Sequence, residues 1–478
     1  MIDLYFHGVR LLRNTLLIGC AALAAVAGVV SAQAQDRPNI VVLMADDLGW
    51  ADVGFNGTEI ATPHIDALAE RGVRLTRFYV QPTCSPTRAA LMTGRHPYRS
   101  GAHICVLRSW HKHGISLDER FLPEMLSDAG YTTAMVGKWH LGLARRAYWP
   151  TNRGFDSFYG HLGGGIDYYT HEGYGSHDWQ DQEQTLREEG YATHLIGNRA
   201  TELIEQHDFD DAPLFLFVAF NAPHTPLQAE PEDLETYAHI PNQKRRTFAA
   251  MVHSMDQQIG RIVATLEAQG LSDDTLVIFT SDNGGPTNSG ADNGPWRGGK
   301  GTLFEGGVRV PTVMVWPDRL AAGQRVSEPM HIIDFFPTFA VLTGGDTAGG
   351  LPLDGRDVGP ALWGGNKLTP RNLFLNVKDG RGRGAVISGH WKLIVEYANN
   401  QKLSDGIPLP DEKVKAALFD LEADPYETTN LAESHPGKVQ ELWGMLKQRG
   451  KEVGDAAPYC QKKPENWQAP ADWSQVPE

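Results

Sequence analysis

Positive charge is what this chain is short of. Its 478 residues carry 43 Lys and Arg against 58 Asp and Glu, a formal net charge of -15. A nucleic-acid binder needs a basic stripe to neutralise phosphates, and that class is set aside. The same deficit means that a polyanionic ligand has to be captured by local cations, against the overall field. Internal repeats, heptad runs and low-complexity tracts are missing as well. Nor is there a stable membrane span: the apolar run Leu16 to Val30 falls short of the ~20 residues needed to cross a bilayer. Arg10 and Arg13 precede that run and Ala32-Gln33-Ala34 follows it, so residues 1–34 read as a secretory signal and the mature chain as secreted or periplasmic. A lipobox-like Leu17-Ile18-Gly19-Cys20 is the rival, weakened because the apolar region continues past Cys20.

What is present is an ordinary globular composition, 41% hydrophobic and 9% aromatic, long enough for one large domain plus a smaller one. Four short apolar runs end in polar residues. Asn39 to Met44 leads to Asp46-Asp47, Thr132 to Val136 to Lys138 and His140, Leu214 to Phe220 to His224, and Leu276 to Phe279 to Asp282-Asn283. Such runs read as buried strands of a mainly parallel sheet. Met251, Met255, Ile259, Ile262, Val263 and Leu266 form one helical stripe, and a helix around Ile65, Leu68 and Ala69 stops at Gly72. Open α/β sheets gather ligand groups beyond the carboxyl ends of their strands, so the four runs predict one distributed site. From about residue 373 the texture changes to short strands and polar turns, Leu373 to Leu375, Gly384 to Ile387, Trp391 to Val395 and Ala417 to Phe419, with a helix near Val439 to Leu446. The fold class is α/β: a large mixed, mainly parallel sheet flanked by helices over residues 35–372, and a smaller antiparallel sheet over 373–478.

The densest chemical signal is Cys84-Ser85-Pro86-Thr87-Arg88, followed by Met92-Thr93-Gly94-Arg95. Pro86 marks a helix start, and Arg88 sets a fixed cation four residues from the sulfur, a setting for a reactive rather than a structural thiol. Asp46, Asp47, Asp282 and Asn283 make an all-oxygen set suited to a hard cation such as Ca2+ or Mg2+ and not to zinc. Taken separately, Asp46-Asp47-Leu48-Gly49 and Ser281-Asp282-Asn283-Gly284 read better as polar turns; with Cys84 between them they read as a metal site. Lys138 and His140 in Gly137-Lys138-Trp139-His140-Leu141-Gly142, Lys300 in Gly298-Gly299-Lys300-Gly301, and His224 in Asn221-Ala222-Pro223-His224-Thr225-Pro226 complete the candidates.

Cys84-x-Pro86-x-Arg88 resembles the maturation signature of type I sulfatases. The resemblance implies an alkaline-phosphatase-like sulfatase fold, Cys84 oxidised to formylglycine by a maturation enzyme, and a calcium ion, with Mg2+ as the alternative, held by Asp46, Asp47, Asp282, Asn283 and the modified Cys84. It further implies that Arg88 holds the aldehyde hydrate, that Lys138 and Lys300 bind the sulfuryl oxygens, that His224 with Lys300 assists the leaving alcohol, and that His140 takes the proton whose loss releases sulfate. With Cys84 so committed, Cys105 and Cys460 are left as a candidate disulfide pair. Phe78-Tyr79-Val80-Gln81-Pro82, Leu117-Asp118-Glu119, Arg153-Gly154-Phe155-Asp156, Asp167-Tyr168-Tyr169-Thr170-His171 and Arg297-Gly298-Gly299-Lys300 look most like arylsulfatase B, the N-acetylgalactosamine-4-sulfatase branch. A sulfated carbohydrate substrate follows from that likeness, and Trp110, His111 and His113 are candidate sugar contacts. The alternatives are a phosphoryl or phosphonate ester hydrolase of the same superfamily, although zinc phosphatases need His-rich ligand sets, and a non-catalytic sulfoglycan-binding protein if Cys84 stays unoxidised.

Overall fold

The computed structural model describes residues 37–102, 106–411, 413–453 and 462–477. The signal segment, Cys20, Cys105 and Cys460 lie outside the described residues. Among those described, no helix is long and apolar enough to cross a membrane.

The predicted central strands form and run side by side. Thr275–Ser281, Asn39–Ala45, Leu214–Ala219, Thr132–Lys138 and Ser157–His161 are neighbours in that order, all parallel. Val313–Val315 and Val73–Leu75 continue the sheet in mixed directions on one side, and Gln180–Asp181 pairs antiparallel on the other. The apolar runs are continuous because both faces are covered. Ile40, Val42 and Met44 face one core with Ala89, Met92, Phe335 and Phe339, whereas Val41, Leu43 and Ala45 face a second with Ile65, Ile196, Met251 and Ile259. The long helix Gln243–Ala268 turns its Met251 to Leu266 stripe into that second core, as the spacing predicts.

The helix Pro63–Arg71 ends before Gly72, but not through a left-handed cap. Gly72 has φ -126°, and a Cβ there would meet the Met314 carbonyl oxygen at 2.3 Å. Close approach of backbone to the neighbouring strand is what selects glycine at this position.

The smaller sheet is antiparallel, in the order Asn372–Leu375, Gly384–Ser388, Trp391–Tyr397, Val414–Asp420, Ile407–Pro408. Alternation divides its faces. Val386, Leu393, Val395 and Leu418 pack under the helix Pro436–Gly450 through Val439, Leu442 and Leu446, while Leu373, Ile387, Ile394 and Phe419 pack on Tyr79, Leu303, Phe304 and Val308 of the large unit. The chain then returns to the large unit, where Trp473 joins the first core and Pro477 accepts a hydrogen bond from the Arg146 backbone.

Candidate active site

All four strand ends deliver their polar residues to one place. The backbone at Asp46 to Leu48 is stitched to its neighbours: Asp46 N–H donates to the Ala222 carbonyl (3.0 Å), Asp47 N–H to Asp282 Oδ1 (3.2 Å) and Leu48 N–H to Ser281 Oγ (3.1 Å). Asp47 and His140 both hold left-handed backbones, φ 70° and 65°. Such conformations in non-glycine residues cluster where a site over-determines the geometry.

The helix begins at Cys84 itself, not at Pro86, which sits in its first turn: it spans Cys84–Thr93. Cys84 is therefore at the positive end of the helix dipole. It is 1% exposed, and its thiol lies 3.6 Å from Asp46 Oδ1. Burial, and then the charge of Asp282, push this thiol up to about 12, so the sulfur is held as S–H. One ligand atom each from Asp46, Asp47, Cys84 and His224 all fall within 4.8 Å of one another.

Cations interleave with these acids. Arg88 donates to Asp282 Oδ2 from Nε (3.0 Å) and Nη2 (2.9 Å) and to the Lys138 carbonyl (2.6 Å). Lys138, the last residue of its strand and fully buried, pairs with Asp46, and Lys300 pairs with Asp47 (2.6 Å). Burial opposes ionisation of Asp47, but Lys300, His224 and Lys138 outweigh it and bring the carboxyl down to about 2. Asp282 goes the other way: burial, then the charge of Asp46, lift it to about 6. Asn283 donates from Nδ2 to Asp47 Oδ1 (2.7 Å), while its buried Oδ1 meets no hydrogen-bond donor among the described residues. Crowded carboxylates beside an unused amide oxygen fit a hard divalent cation, whose charge would relieve the repulsion that raises Asp282.

The two histidines differ in what they offer. The Nε2 of His140 is 2.8 Å from the Leu107 carbonyl, so it carries the proton and leaves the buried Nδ1, without a partner among the described residues, as a base. His224 Nδ1 is 2.6 Å from the Thr225 carbonyl, and its Nε2 lies 3.7 Å from Asp47 Oδ2. Burial, reinforced by Lys138 and Lys300, brings His224 down to about 3, so it is neutral in the free site.

Three residues in and around this cluster carry no expectation from the sequence. Ser85 donates to the His140 carbonyl and accepts from Leu107 N–H (both 3.0 Å), tying the Cys84 helix to the His140 loop. The Asn221 amide is buried with neither atom partnered, and His161, paired in register with Lys138 and stacked on Trp179, has both ring nitrogens unpartnered, among the described residues. Asn221 opens the His224 motif and His161 closes a short strand, the positions where a sheet of this kind places its ligand groups. Of the candidate sugar contacts, His111 is buried and stacked on His113 (centroids 5.1 Å), while Trp110 is half-buried.

The sequence model of the sulfatase family matches residues 38–345. This chain belongs to the sulfatase family. It is 34% identical to arylsulfatase J of Mus musculus over 458 residues, covering 87% of this chain and 76% of that protein. It is 35% identical to N-acetylgalactosamine-6-sulfatase of Mus musculus over 372 residues, 73% of this chain and 70% of that one. Among solved structures, Ps i-CgsB in complex with k-i-k-neocarrahexaose superposes with a TM-score of 0.78 at 32% identity, covering 88% of this chain and 94% of that one. The protein is thus a sulfuric ester hydrolase, built on the alkaline-phosphatase-like sheet of its family.

Proposed function

We propose that the protein hydrolyses sulfate monoesters of a sulfated carbohydrate, with Cys84 converted to formylglycine and calcium held by Asp46, Asp47, Asp282, Asn283 and the modified Cys84. The observation that supports this most is the meeting of the Cys84 side chain with the Asp46 and Asp47 carboxylates at a helix N-terminus, ringed by two lysines and two histidines. When present, the cation polarises sulfuryl oxygens, and a formylglycine hydrate supplies one hydroxyl for attack and a second for release of sulfate.

The chain's own residues do the rest. Arg88, fixed by Asp282 and the Lys138 carbonyl, keeps positive charge beneath position 84. Lys138 and Lys300 present ammonium groups to the anionic ester, stabilising charge as it moves toward the leaving oxygen. His140 accepts a proton at Nδ1, because its Nε2 proton is committed to Leu107. His224, whose Nε2 lies 3.7 Å from Asp47 Oδ2, takes up a proton beside the bound anionic ester and serves the leaving alcohol. The motif likeness to N-acetylgalactosamine-4-sulfatases and the oligosaccharide in the Ps i-CgsB complex both favour a polymeric sulfated glycan, with N-acetylgalactosamine 4-sulfate as one unit to try. Secretion or export to the periplasm, the location of such polymers, agrees with the signal-like residues 1–34.

The decisive experiment compares turnover of matched aryl sulfate and aryl phosphate esters by wild type and Cys84→Ala, with the mass of the Cys84 peptide and calcium add-back after chelation. Sulfate preference, an aldehyde mass, recovery with calcium and loss of more than a thousandfold in Cys84→Ala are expected. Phosphate preference, or an active protein with an intact thiol, would overturn the reading.

A further inference from the structure

Three aromatic rings from distant parts of the chain meet beside the His140 loop. Trp110 lies 6.1 Å from Tyr174 at 88° and 6.1 Å from Trp467 at 70°. Arg108 sits with its guanidinium carbon 6.0 Å from the Trp110 ring centre and donates to the Tyr174 hydroxyl at 3.2 Å, and the Lys463 ammonium is 5.2 Å from the Trp467 ring centre. Arg108, Lys112 and Lys463 are exposed, and among the described residues none of them forms an ion pair.

This cluster is anchored to the catalytic machinery. Leu107, three residues from Trp110, donates its N–H to Ser85 Oγ and offers its carbonyl to His140 Nε2. The turn above is closed by His111 N–H to the Arg108 carbonyl (2.9 Å) and Arg108 N–H to His111 Nδ1 (3.2 Å). Trp467 arrives on the returning C-terminal segment, which is strapped down where Ser176 Oγ donates to the Pro470 carbonyl (2.6 Å) and where Thr185 bonds Asp472. A ring surface so held loses little freedom when a ligand lands on it.

The chemistry of the cluster is specific. Tryptophan and tyrosine faces offer apolar area with a polar edge, matching the C–H faces and hydroxyls of a pyranose ring. Exposed cations beside those rings suit a sulfate ester or carboxylate on the same sugar. On a chain of net charge -15 these are the local cations that capture of a polyanion requires.

We propose that Trp110, Tyr174 and Trp467, with Arg108 and Lys463, form a subsite for a further anionic sugar unit, next to the unit whose sulfate is removed. This rests on the sulfated-glycan reading of the catalytic site and goes beyond it: the enzyme recognises an oligosaccharide, not a lone sulfated sugar.

The test uses the mature protein, p-nitrophenyl sulfate, and disaccharide and hexasaccharide forms of two glycans, the neocarrahexaose series and one containing N-acetylgalactosamine 4-sulfate. By calorimetry, at least one hexasaccharide should bind tenfold or more tightly than its disaccharide. Trp110→Ala and Trp467→Ala should erase that gain. Arg108→Ala, an exposed change that leaves folding alone, should weaken hexasaccharide binding at least fivefold and flatten its dependence on NaCl. kcat/KM on p-nitrophenyl sulfate, which carries no second sugar unit, should stay within twofold. No gain with chain length for either glycan, or equal losses on the aryl ester and the hexasaccharide, overturns the subsite. Absence of aryl sulfate turnover in wild type sinks the sulfatase reading separately, since the chain-length gain is read by binding alone.

Discussion

The Glu427 carboxylate accepts the backbone N–H of Glu305 at 2.6 Å, so a turn following the small sheet holds the segment that follows Lys300 in the large one. Lys392 lies between the two glutamates, 2.8 Å from each and fully buried, and Glu305 also accepts from the Tyr79 hydroxyl at 3.0 Å. The Glu427 carbonyl meanwhile accepts from Arg297, three residues before Lys300. One buried ionic cluster thus joins the two sheets and steadies the loop that carries Lys300.

Removing Lys392 leaves the buried Glu427 beside Glu305, which among the described residues keeps only the Arg309 cation, at 3.3 Å. Lys392→Met should cost about 3–5 kcal/mol of stability, the usual penalty for orphaning a buried charge. Urea unfolding at pH 8 measures it, and a loss under about 1 kcal/mol would contradict the assigned pairing.

On the proposed reading His224 assists the leaving alcohol, so its value depends on how much help that alcohol needs. His224→Ala should lower kcat for sugar sulfates by a hundredfold or more and for nitrophenyl sulfate about tenfold or less, because a good leaving group departs without a proton. Equal losses across a series of aryl sulfates of graded phenol pKa would remove the residue from that role.

Gly164 gives His140 its room. A Cβ at residue 164 would lie 2.5 Å from the imidazole, too close to stay. Gly164→Ala should cut kcat at least tenfold while shifting the melting temperature by only a few degrees, since the ring must swing away from Leu107. Unchanged turnover would show that the His140 orientation is not needed.

Acid sensitivity should come in part from His96. Burial, with the nearby Arg449, Arg99 and Arg371 adding to it and Asp354 opposing, holds this imidazole down to about 4. It is therefore neutral in the fold below pH 6.5, where the unfolded chain takes up a proton. Its stabilising contribution is complete above pH 6.5 and is lost as pH falls toward 4, by roughly 3 kcal/mol in all. His96→Phe, which keeps the stacking on Tyr98, should flatten the fall in melting temperature over that window. An unaltered slope would mean that His96 is protonated in the native protein.

Much of this was legible in the sequence because the strands that carry the site are buried on both faces. Asn39–Ala45 and Leu214–Ala219 had to be unbroken apolar runs, and the polar residue after each run stood out. The small antiparallel sheet was legible from its short strands and turns. Less visible was anything set by packing between distant segments. Leu107 bridges Cys84 to His140 without a motif of its own, through Ser85, a variable position inside the Cys84 motif. Gly72 looked like a helix cap and is a close-packing glycine. Lys392 stands inside an apolar strand, and its two acids lie far off in sequence. The return of residues 462–477 to the large unit left no trace in composition, because it rests on a few scattered contacts, the burial of Trp473 and bonds such as Arg146 to Pro477.

The depth of Cys84 imposes an order of events. At 1% exposure, on a helix whose ten residues are all buried, its sulfur is sealed from any other protein once the chain has collapsed. On the proposed reading, an oxidising enzyme can reach it only while residues 84–93 are still extended. The fraction of active molecules is then settled by a race between that enzyme and folding, and material produced faster than it is oxidised would be well folded and permanently inert.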